Sequence, residues 1–174
     1  YELIIKLLAE NRICELCVPI LYGSPKVAAY YRKVLNIENF SLNTIREPGE
    51  ANGKRSNIIN CVDDNVKVDL GKETPESDQA TMVALKYALD QLDRDEIDVL
   101  TLAPQGPNAF FTEEAGSLVE YLGKRYNTTD IMSILVSEKI KMGFVTEQVK
   151  LRDVPHQVTQ KNIFKKLTLL DDTL

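Results

Sequence analysis

The sequence predicts an α/β protein whose sheet is largely parallel. Short apolar runs of strand length alternate along the chain with segments in which apolar residues recur at helical spacing, and this alternation is typical of parallel sheets covered by helices. The 174 residues are 44% apolar and 27% charged, which is the composition of an ordinary soluble globular protein. No apolar run reaches the ~18 residues that a membrane-spanning helix needs, so we expect no membrane association.

The start of the chain predicts two helices with a strand between them. Apolar residues at helical spacing predict a helix over residues 2–10, and a short apolar run predicts a buried strand over 17–22. Ser24 and Pro25 are residue types that favour the N-cap and the first position of a helix. A helix is therefore expected from this pair to about Leu35.

The rest of the chain continues the alternation. The clearest helix is predicted over 77–92, because its apolar residues form a single stripe, and Thr112 is the expected N-cap of a later one. In order, the remaining elements are predicted as strands within 36–60 joined by an exposed loop, an edge strand over 66–70, the helix over 77–92, a strand over 97–104, a helix over 112–126, strands over 131–136 and 141–146, and a final helix after Thr159.

Composition limits the chemistry that the chain can perform. His156 is the only histidine, which excludes a mechanism that needs two histidines from this chain. The three cysteines are too few for a disulfide framework, and we expect a cytoplasmic protein. The net charge of -5 and the pI near 5.0 argue against nucleic acid as the main partner, because phosphate binding needs a basic surface.

Local motifs offer little chemistry on their own. The Cys14-x-x-Cys17 spacing closes a predicted helix and opens a strand, the reverse of a redox motif, so we favour a structural role as small buried residues. The turn at Gly23-Ser24-Pro25 lies where anions often bind, although an ordinary strand-to-helix turn is the favoured interpretation. The loop over 103–108 leaves the end of a predicted strand, where α/β proteins place ligands, but it carries no acid, base or cation. His156 is best explained as a surface or capping residue.

Several separate segments, in chain order, resemble the 4-hydroxythreonine-4-phosphate dehydrogenase family, the PdxA-like enzymes of pyridoxal phosphate biosynthesis. The segments read Leu-Cys-Val-Pro-Ile-Leu-Tyr-Gly-Ser-Pro-Lys-Val-Ala-Ala-Tyr over 16–30, Asn-Ile-Ile-Asn-Cys-Val-Asp-Asp over 57–64, the run 97–104, Glu-Tyr-Leu over 120–122, Val-Thr at 145–146 and Leu-Arg-Asp-Val over 151–154. The resemblance covers nearly the whole chain.

The resemblance implies a fold and a reaction. The fold would be like that of isocitrate and isopropylmalate dehydrogenases, with a three-layer sheet flanked by helices, incomplete relative to the family, and with lobes over 1–104 and 105–174. The implied reaction is NAD-dependent oxidation of the secondary alcohol of a phosphorylated hydroxy amino acid, followed by decarboxylation. A divalent metal (Zn, Mg or Co) would polarise the developing carbonyl, and its histidine ligands would come from both subunits of a homodimer.

The departures from the family pattern fall at the positions that carry its chemistry. Gly106 and Pro107 stand where the family has an Asn-Lys pair, so a cation for the substrate is replaced. Leu118 and Val119 stand where the family has the substrate-binding His and Thr. Gln148 stands where the family has a metal-binding His, and the neighbouring Glu147 is an alternative ligand through its carboxylate.

Two classes of function therefore stay open. The chain is expected to be a family member, an oxidoreductase of vitamin B6 synthesis, whose activity is impaired. The alternative is a catalytically inactive homologue, a pseudoenzyme, that acts as a binding or interaction protein, or a truncated fragment. Whether this chain is an enzyme is not decided at this point, and no catalytic or cofactor-binding residue is assigned.

Overall fold

The computed structural model describes residues 1–10, 12–63, 69–106, 109, 115–147 and 149–173. The chain divides into two compact units, a first unit over Tyr1–Phe110 and a second unit over Phe111–Leu174. The helices and strands are α1 (Glu2–Leu8), α2 (Ile13–Leu16), β1 (Ile20–Gly23), α3 (Pro25–Val34), β2 (Asn43–Ile45), β3 (Asn57–Asn60), α4 (Pro75–Leu92), α5 (Leu118–Arg125), β4 (Ile134–Val136), β5 (Lys141–Gly143), α6 (Val154–Gln157) and α7 (Gln160–Thr173).

The first unit is built on a parallel sheet with the strand order β1-β3-β2. Leu21 of β1 lies opposite Ile58 of β3, and Thr44 of β2 lies on the other side of Ile58. The connection from β1 to β2 contains α3, and the connection from β2 to β3 is a long loop, as parallel pairing requires. The predicted parallel sheet is therefore present.

Helices α1 and α3 cover one face of this sheet. Ile5 and Leu8 of α1 and Ala28 of α3 pack with Leu21 and Ile58 in one buried cluster. Ile5 is 0% exposed and Ile58 is 1% exposed. Burial of each large side chain of this kind contributes about 1.5–3 kcal/mol.

Helix α4 covers the other face. The pleat places Tyr22 and Ile59 opposite to Leu21 and Ile58, because neighbouring residues of a strand point to opposite sides. The Tyr22 hydroxyl donates to Oε1 of Gln91 on α4 at 2.5 Å, and its ring lies 6.2 Å from that of Tyr87. The first unit thus has the helix–sheet–helix layering expected of an α/β protein.

A buried amide fastens the sheet to the loop that precedes β3. The side chain of Asn57 is fully buried and donates to the carbonyls of Pro19, Asn52 and Arg55. Its oxygen accepts from the amide of Asn43 and from the backbone of Asn52. All of its hydrogen-bonding groups have partners, so the cost of removing this polar side chain from water is offset. The same hydrogen bonds fix the register of the three strands.

Helix starts in the first unit follow the sequence signals. The Ser24 hydroxyl accepts from the Val27 amide at 3.3 Å, so Ser24 caps α3 as predicted. Thr74 and Ser77 form a reciprocal capping box at the start of α4, with Pro75 at its first position.

The second unit is organised around a two-stranded antiparallel hairpin rather than a further part of the parallel sheet. Leu135 of β4 lies directly opposite Met142 of β5. A Cβ at Gly143 would lie 3.1 Å from the Met132 sulfur and 4.0 Å from Leu170 of α7, so that face of the hairpin lies towards the helix. Leu135 and Met142 are on the other face and are 59% and 49% exposed.

Four element predictions need correction. No strand forms over 97–104: the described residues there are unpaired, and Val99 is 73% exposed. An apolar run indicates burial or extension, but it does not supply the hydrogen-bonding partner that a strand needs. The helix predicted over 112–126 begins at Leu118, because Ser117 accepts from the Glu120 amide and caps it there. The strands predicted over 131–136 and 141–146 are shorter, and they pair antiparallel with each other.

Other predictions have simpler outcomes. The helices expected near residues 2–10, 77–92 and after Thr159 are present as α1, α4 and α7. The edge strand predicted over 66–70 lies largely outside the described residues, as does Thr112. Within the described part of the chain, no helix combines the length and the apolar character that crossing a bilayer requires.

Candidate functional site

The turn from β1 to α3, where an anion site was considered, is filled by a side chain of the protein itself. The hydroxyl of Tyr1 accepts a hydrogen bond from the Ser24 amide at 2.8 Å, and the Tyr1 ring stacks on Tyr31. A Cβ at Gly23 would collide with this hydroxyl, so the glycine permits the close approach. Burial raises the pKa of Tyr1 to about 12, so the phenol stays neutral at physiological pH. The arrangement supports the interpretation of this segment as a structural turn.

The carboxyl ends of the parallel strands carry a thiol that is not activated. Cys61 directly follows β3 and is partly buried. Burial raises the pKa of its thiol to about 11. The thiolate is the nucleophilic form, so Cys61 is inert at neutral pH.

Gly106, the first of the predicted substrate-binding positions, lies against a carboxylate. A Cβ at Gly106 would overlap the side chain of Glu73, which comes immediately before the N-cap of α4. The site that the family resemblance assigns to a polar pair therefore brings a negative charge close to a bare backbone. Pro107, the second residue of this pair, lies outside the described residues.

The other two predicted substrate-binding positions lie in the first turn of α5. Ser117 caps this helix, and Glu120 accepts from the Gly116 amide at 2.9 Å. Leu118 and Val119, which follow the cap, are half-buried. Their hydrocarbon side chains cannot donate or accept a hydrogen bond, so this helix start presents no polar side chain at those two positions.

Glu147, the alternative metal ligand, is engaged by a serine. One carboxylate oxygen of Glu147 accepts from the Ser133 amide at 2.9 Å, and the other accepts from the Ser133 hydroxyl at 2.6 Å. Partial burial opposes ionisation, yet these two hydrogen bonds and the nearby charge of Lys166 lower the pKa of Glu147 below its usual value. The carboxylate is thus stably ionised and bonded through both oxygens.

The described residues do not fit the metal that the family resemblance implies. No group of three His, Cys, Asp or Glu side chains among them lies close enough to hold a cation. Glu147 is bonded to Ser133, and Gln148, the position that matches the family histidine, lies outside the described residues. An amide oxygen is also a poor substitute for imidazole on zinc. We therefore derive no catalytic step through a metal.

The predicted site residues are divided between the two units of the chain. Gly106 belongs to the first unit, whereas Leu118, Val119 and Glu147 belong to the second, on α5 and after β5. His156 is exposed near the end of α6, in keeping with its interpretation as a surface residue.

The cysteine pair departs from one expectation. Cys14 lies in α2 and Cys17 follows it, so the motif closes a helix as predicted, but Cys17 is exposed rather than buried. Its thiol lies 3.7 Å from the carbonyl of Ile13, a residue of the preceding turn.

Sequence reasoning missed the partners of two site residues. Ser133 interrupts an otherwise apolar run over 131–136, and a polar residue in such a run is a usable signal of a specific contact. Lys166 and Glu73 gave no signal, because each is one charged residue among many on a predicted helix or loop. Their proximity to Glu147 and Gly106 depends on the folded chain.

Comparisons with known proteins agree with one another. The sequence model of the family described as "Pyridoxal phosphate biosynthetic protein PdxA" matches residues 15–174. The chain is 35% identical over 173 residues to the 4-hydroxythreonine-4-phosphate dehydrogenase of Bacteroides thetaiotaomicron, covering 97% of the chain and 47% of that protein. It is 28% identical to the enzyme of the same name from Aquifex aeolicus, covering 97% of the chain and 52% of that protein.

A solved structure shows the same fold. The crystal structure of 4-hydroxythreonine-4-phosphate dehydrogenase from Klebsiella pneumoniae aligns with a TM-score of 0.82 at 21% identity, covering 98% of this chain and 54% of that one. The predicted fold class is therefore confirmed. The chain spans about half the length of the curated relatives and solved structures that it matches.

Proposed function

The chain belongs to the PdxA family of pyridoxal phosphate biosynthetic proteins, and from this premise we propose that it derives from an NAD-dependent dehydrogenase whose activity is impaired in this chain. The ancestral reaction would be the metal-assisted oxidation and decarboxylation of 4-phosphohydroxy-L-threonine or a similar phosphorylated hydroxy acid. The oxidoreductase chemistry and the place in pyridoxal phosphate biosynthesis follow from the family.

The observation that carries the proposal is the loss of polar side chains at three matched positions. Gly106, Leu118 and Val119 offer no side-chain donor, acceptor or charge towards a substrate. Removing one preorganised polar contact from an active site commonly costs about 10²–10³-fold in turnover. Combined losses at these positions would leave an NAD-dependent reaction very slow.

A change of charge supports the same conclusion. The Glu73 carboxylate lies where a side chain at residue 106 would be. A phosphorylated substrate is an anion and is repelled by a nearby carboxylate, and Pro107 supplies no positive charge where the family resemblance implies a lysine. We propose that this position no longer favours a phosphate or carboxylate group.

The partners follow from the family by the same reasoning. We propose a phosphorylated small molecule and NAD as ancestral ligands, and a homodimer as the assembly. The three cysteines are unpaired, which suits a reducing compartment, and we propose a cytoplasmic location.

A chimera tests the impaired activity. The 174 residues replace the matching segment of the Bacteroides thetaiotaomicron relative, so that the rest of that enzyme is supplied. NADH formation from 4-phosphohydroxy-L-threonine is then measured with added Zn²⁺, Mg²⁺ or Co²⁺. We expect turnover at least about 10³-fold below that of the intact relative. Metal-dependent turnover near that of the relative would contradict the proposal.

A restored chimera controls for misfolding. The substitutions Gly106→Asn, Pro107→Lys, Leu118→His, Val119→Thr and Gln148→His return the residue types of the family. If the matched positions cause the defect, the restored chimera regains part of the turnover while both chimeras show the same helix content. Equal inactivity of both would place the defect elsewhere in the chain.

A binding or interaction protein is the second candidate, and the exposed hairpin of the second unit favours it. Leu135, Val136 and Ile140 are each at least 59% exposed on or beside β4 and β5. Adjacent exposed apolar side chains mark interaction surfaces. Sedimentation of the chain and of the Leu135→Asp variant tests whether this surface associates: the variant is expected to sediment at lower mass, and identical masses would remove the hairpin from the interface.

A further inference from the structure

Two donors of Ser133 bond to one carboxylate of the second unit, and Lys166 adds a positive charge nearby. Ser133 precedes β4, Glu147 follows β5, and Lys166 belongs to α7. The Ser133 amide and hydroxyl each donate to a different oxygen of Glu147, at 2.9 Å and 2.6 Å. Ser133, Glu147 and Lys166 are called the Glu147 clamp below.

The donors of the clamp are those that proteins use to bind oxyanions. A backbone amide, a hydroxyl and a lysine ammonium combine two directed hydrogen bonds with a positive charge, and hydrogen bonds to an ionised acceptor are about twice as strong as neutral ones. The Lys166 ammonium donates to the carbonyl of Ile131, two residues before Ser133, which holds its positive charge near Ser133. The neighbouring Lys165 pairs with Asp130, so the charge of Asp130 has its own cation.

The clamp lies at one end of the hairpin, and the hairpin has little other support there. The register pairs Ile134 with Gly143, so Ser133 and Glu147 lie just past the end of the hairpin that is opposite its turn. A hairpin of two strands is marginally stable alone. Among the described residues of the second unit only Ala115 is buried, so apolar packing gives the hairpin little support.

We propose that Ser133 and Lys166 form an oxyanion-binding site and that Glu147 occupies it as an internal ligand. The site accepts a carboxylate or another small oxyanion, and Glu147 is a structural ligand of the protein rather than a ligand of a metal ion. The inference goes beyond the proposed function and does not depend on it, because its tests use neither substrate nor NAD.

Removal of the internal ligand followed by its replacement tests the proposal. In the Glu147→Ala variant, amide hydrogen exchange over residues 131–136 is expected to become roughly tenfold faster. The reason is that the variant loses hydrogen bonds to a charged group, which lowers the free energy of local opening. Sodium formate should restore protection in this variant relative to sodium chloride at the same ionic strength. The wild-type chain should show no such difference between the two salts.

Two controls identify the donors. Glu138→Ala removes the same charge from the exposed turn of the hairpin and should leave both exchange and salt response unchanged. The double variant Ser133→Ala, Glu147→Ala lacks the hydroxyl donor and should lose most of the formate response. Wild-type exchange in Glu147→Ala, faster exchange without recovery in formate, or equal recovery in the double variant would each overturn the proposal.

The Glu147→Gln variant covers the case in which Glu147→Ala does not fold. Glutamine keeps the size of the side chain and one acceptor oxygen but removes the negative charge, so exchange over residues 131–136 should be faster than in the wild-type chain. Wild-type exchange in Glu147→Gln would overturn the proposal.

Discussion

The two units of the chain obtain their structure in different ways. In the first unit, α1 and α3 pack on one face of a parallel sheet and α4 packs on the other, around side chains that are almost fully buried. In the second unit, the described residues bury only Ala115, and polar contacts such as the Glu147 clamp tie the hairpin together. Apolar burial therefore contributes most in the first unit, whereas polar contacts contribute more in the described part of the second unit.

The difference also separates fold from function. Apolar packing tolerates substitution as long as volume and pattern are kept, whereas a site depends on particular polar groups at particular positions. The first unit has a buried apolar core, while Gly106, Leu118 and Val119, the predicted substrate-binding positions, carry no polar side chain. Family membership thus establishes the fold more firmly than it establishes the reaction.

The largest expected effect compares a buried residue of one unit with an exposed residue of the other. Ile58→Ala should lower the free energy of unfolding of the first unit by about 3–4 kcal/mol, because it leaves a cavity at a residue that is 1% exposed. Leu135→Ala should change the second unit by less than about 0.5 kcal/mol. Urea unfolding, followed by hydrogen exchange in each unit, measures the change in the free energy of unfolding caused by each substitution. Similar changes in the two units would contradict the distinction between them.

The next largest effect is the difference in stability lost when two serine caps of similar geometry are removed. Ser24 is fully buried and accepts from the Val27 amide at 3.3 Å, while the half-buried Ser117 accepts from the Glu120 amide at 3.2 Å. Ser24→Ala should cost about 1–2 kcal/mol, and Ser117→Ala about 0.5 kcal/mol. Amide exchange in the first turns of α3 and α5 measures the two costs. A larger loss of stability in Ser117→Ala than in Ser24→Ala would mean that the second unit unfolds more cooperatively than the first.

The smallest effect concerns the second unit in acid. The pKa of Glu147 is lowered in the folded chain, so its contribution to stability is present above the unfolded value of about 4.5 and is lost as the pH falls through the folded value. Protection of the amides of residues 131–136, relative to the intrinsic exchange rate at each pH, should therefore fall below about pH 4.5. Ser133→Ala should weaken this acid dependence. An unchanged acid profile in that variant would remove Ser133 as the cause of the shift.

The first unit should respond to the opposite end of the pH scale. The pKa of Tyr1 is raised to about 12 from 10.0, so its contribution to stability is present below pH 10 and is lost as the pH rises towards 12. Tyr1→Phe removes this titrating group. Unfolding of the first unit in alkali should lose part of its pH dependence in the variant, and an identical alkaline profile would contradict the assignment to Tyr1.

The sequence predicts most of the first unit because its signals are local. Ser24 before Pro25 predicts the cap and start of α3, and the apolar stripe over 77–92 predicts α4. The strand predicted over 97–104 fails, since its apolar pattern matches a strand but depends on a partner elsewhere in the chain. Local propensity cannot provide that partner.

The candidate site shows the same limit. Matching to the family identifies Gly106, Leu118 and Glu147 as positions of interest, but it does not predict what they contact. The approach of Glu73 to Gly106 and the bonding of Glu147 by Ser133 are tertiary contacts over 33 and 14 positions of sequence, respectively, and only folding brings them together. Ser133, a polar residue inside an apolar run, was the one local sign of such a contact.

Divalent metal binding by the wild-type chain and by Glu147→Ala is the most direct test of the central claim that the polar groups of the site no longer serve the family reaction. Calorimetric titration with Zn²⁺, Mg²⁺ and Co²⁺ is carried out on both proteins, with Glu138→Ala as the charge-matched control. If Glu147 is the internal ligand of Ser133 and Lys166, the Glu147→Ala titrations match those of the control. Metal binding by the wild-type chain that disappears in Glu147→Ala and persists in Glu138→Ala would contradict the account, because it would make Glu147 a metal ligand.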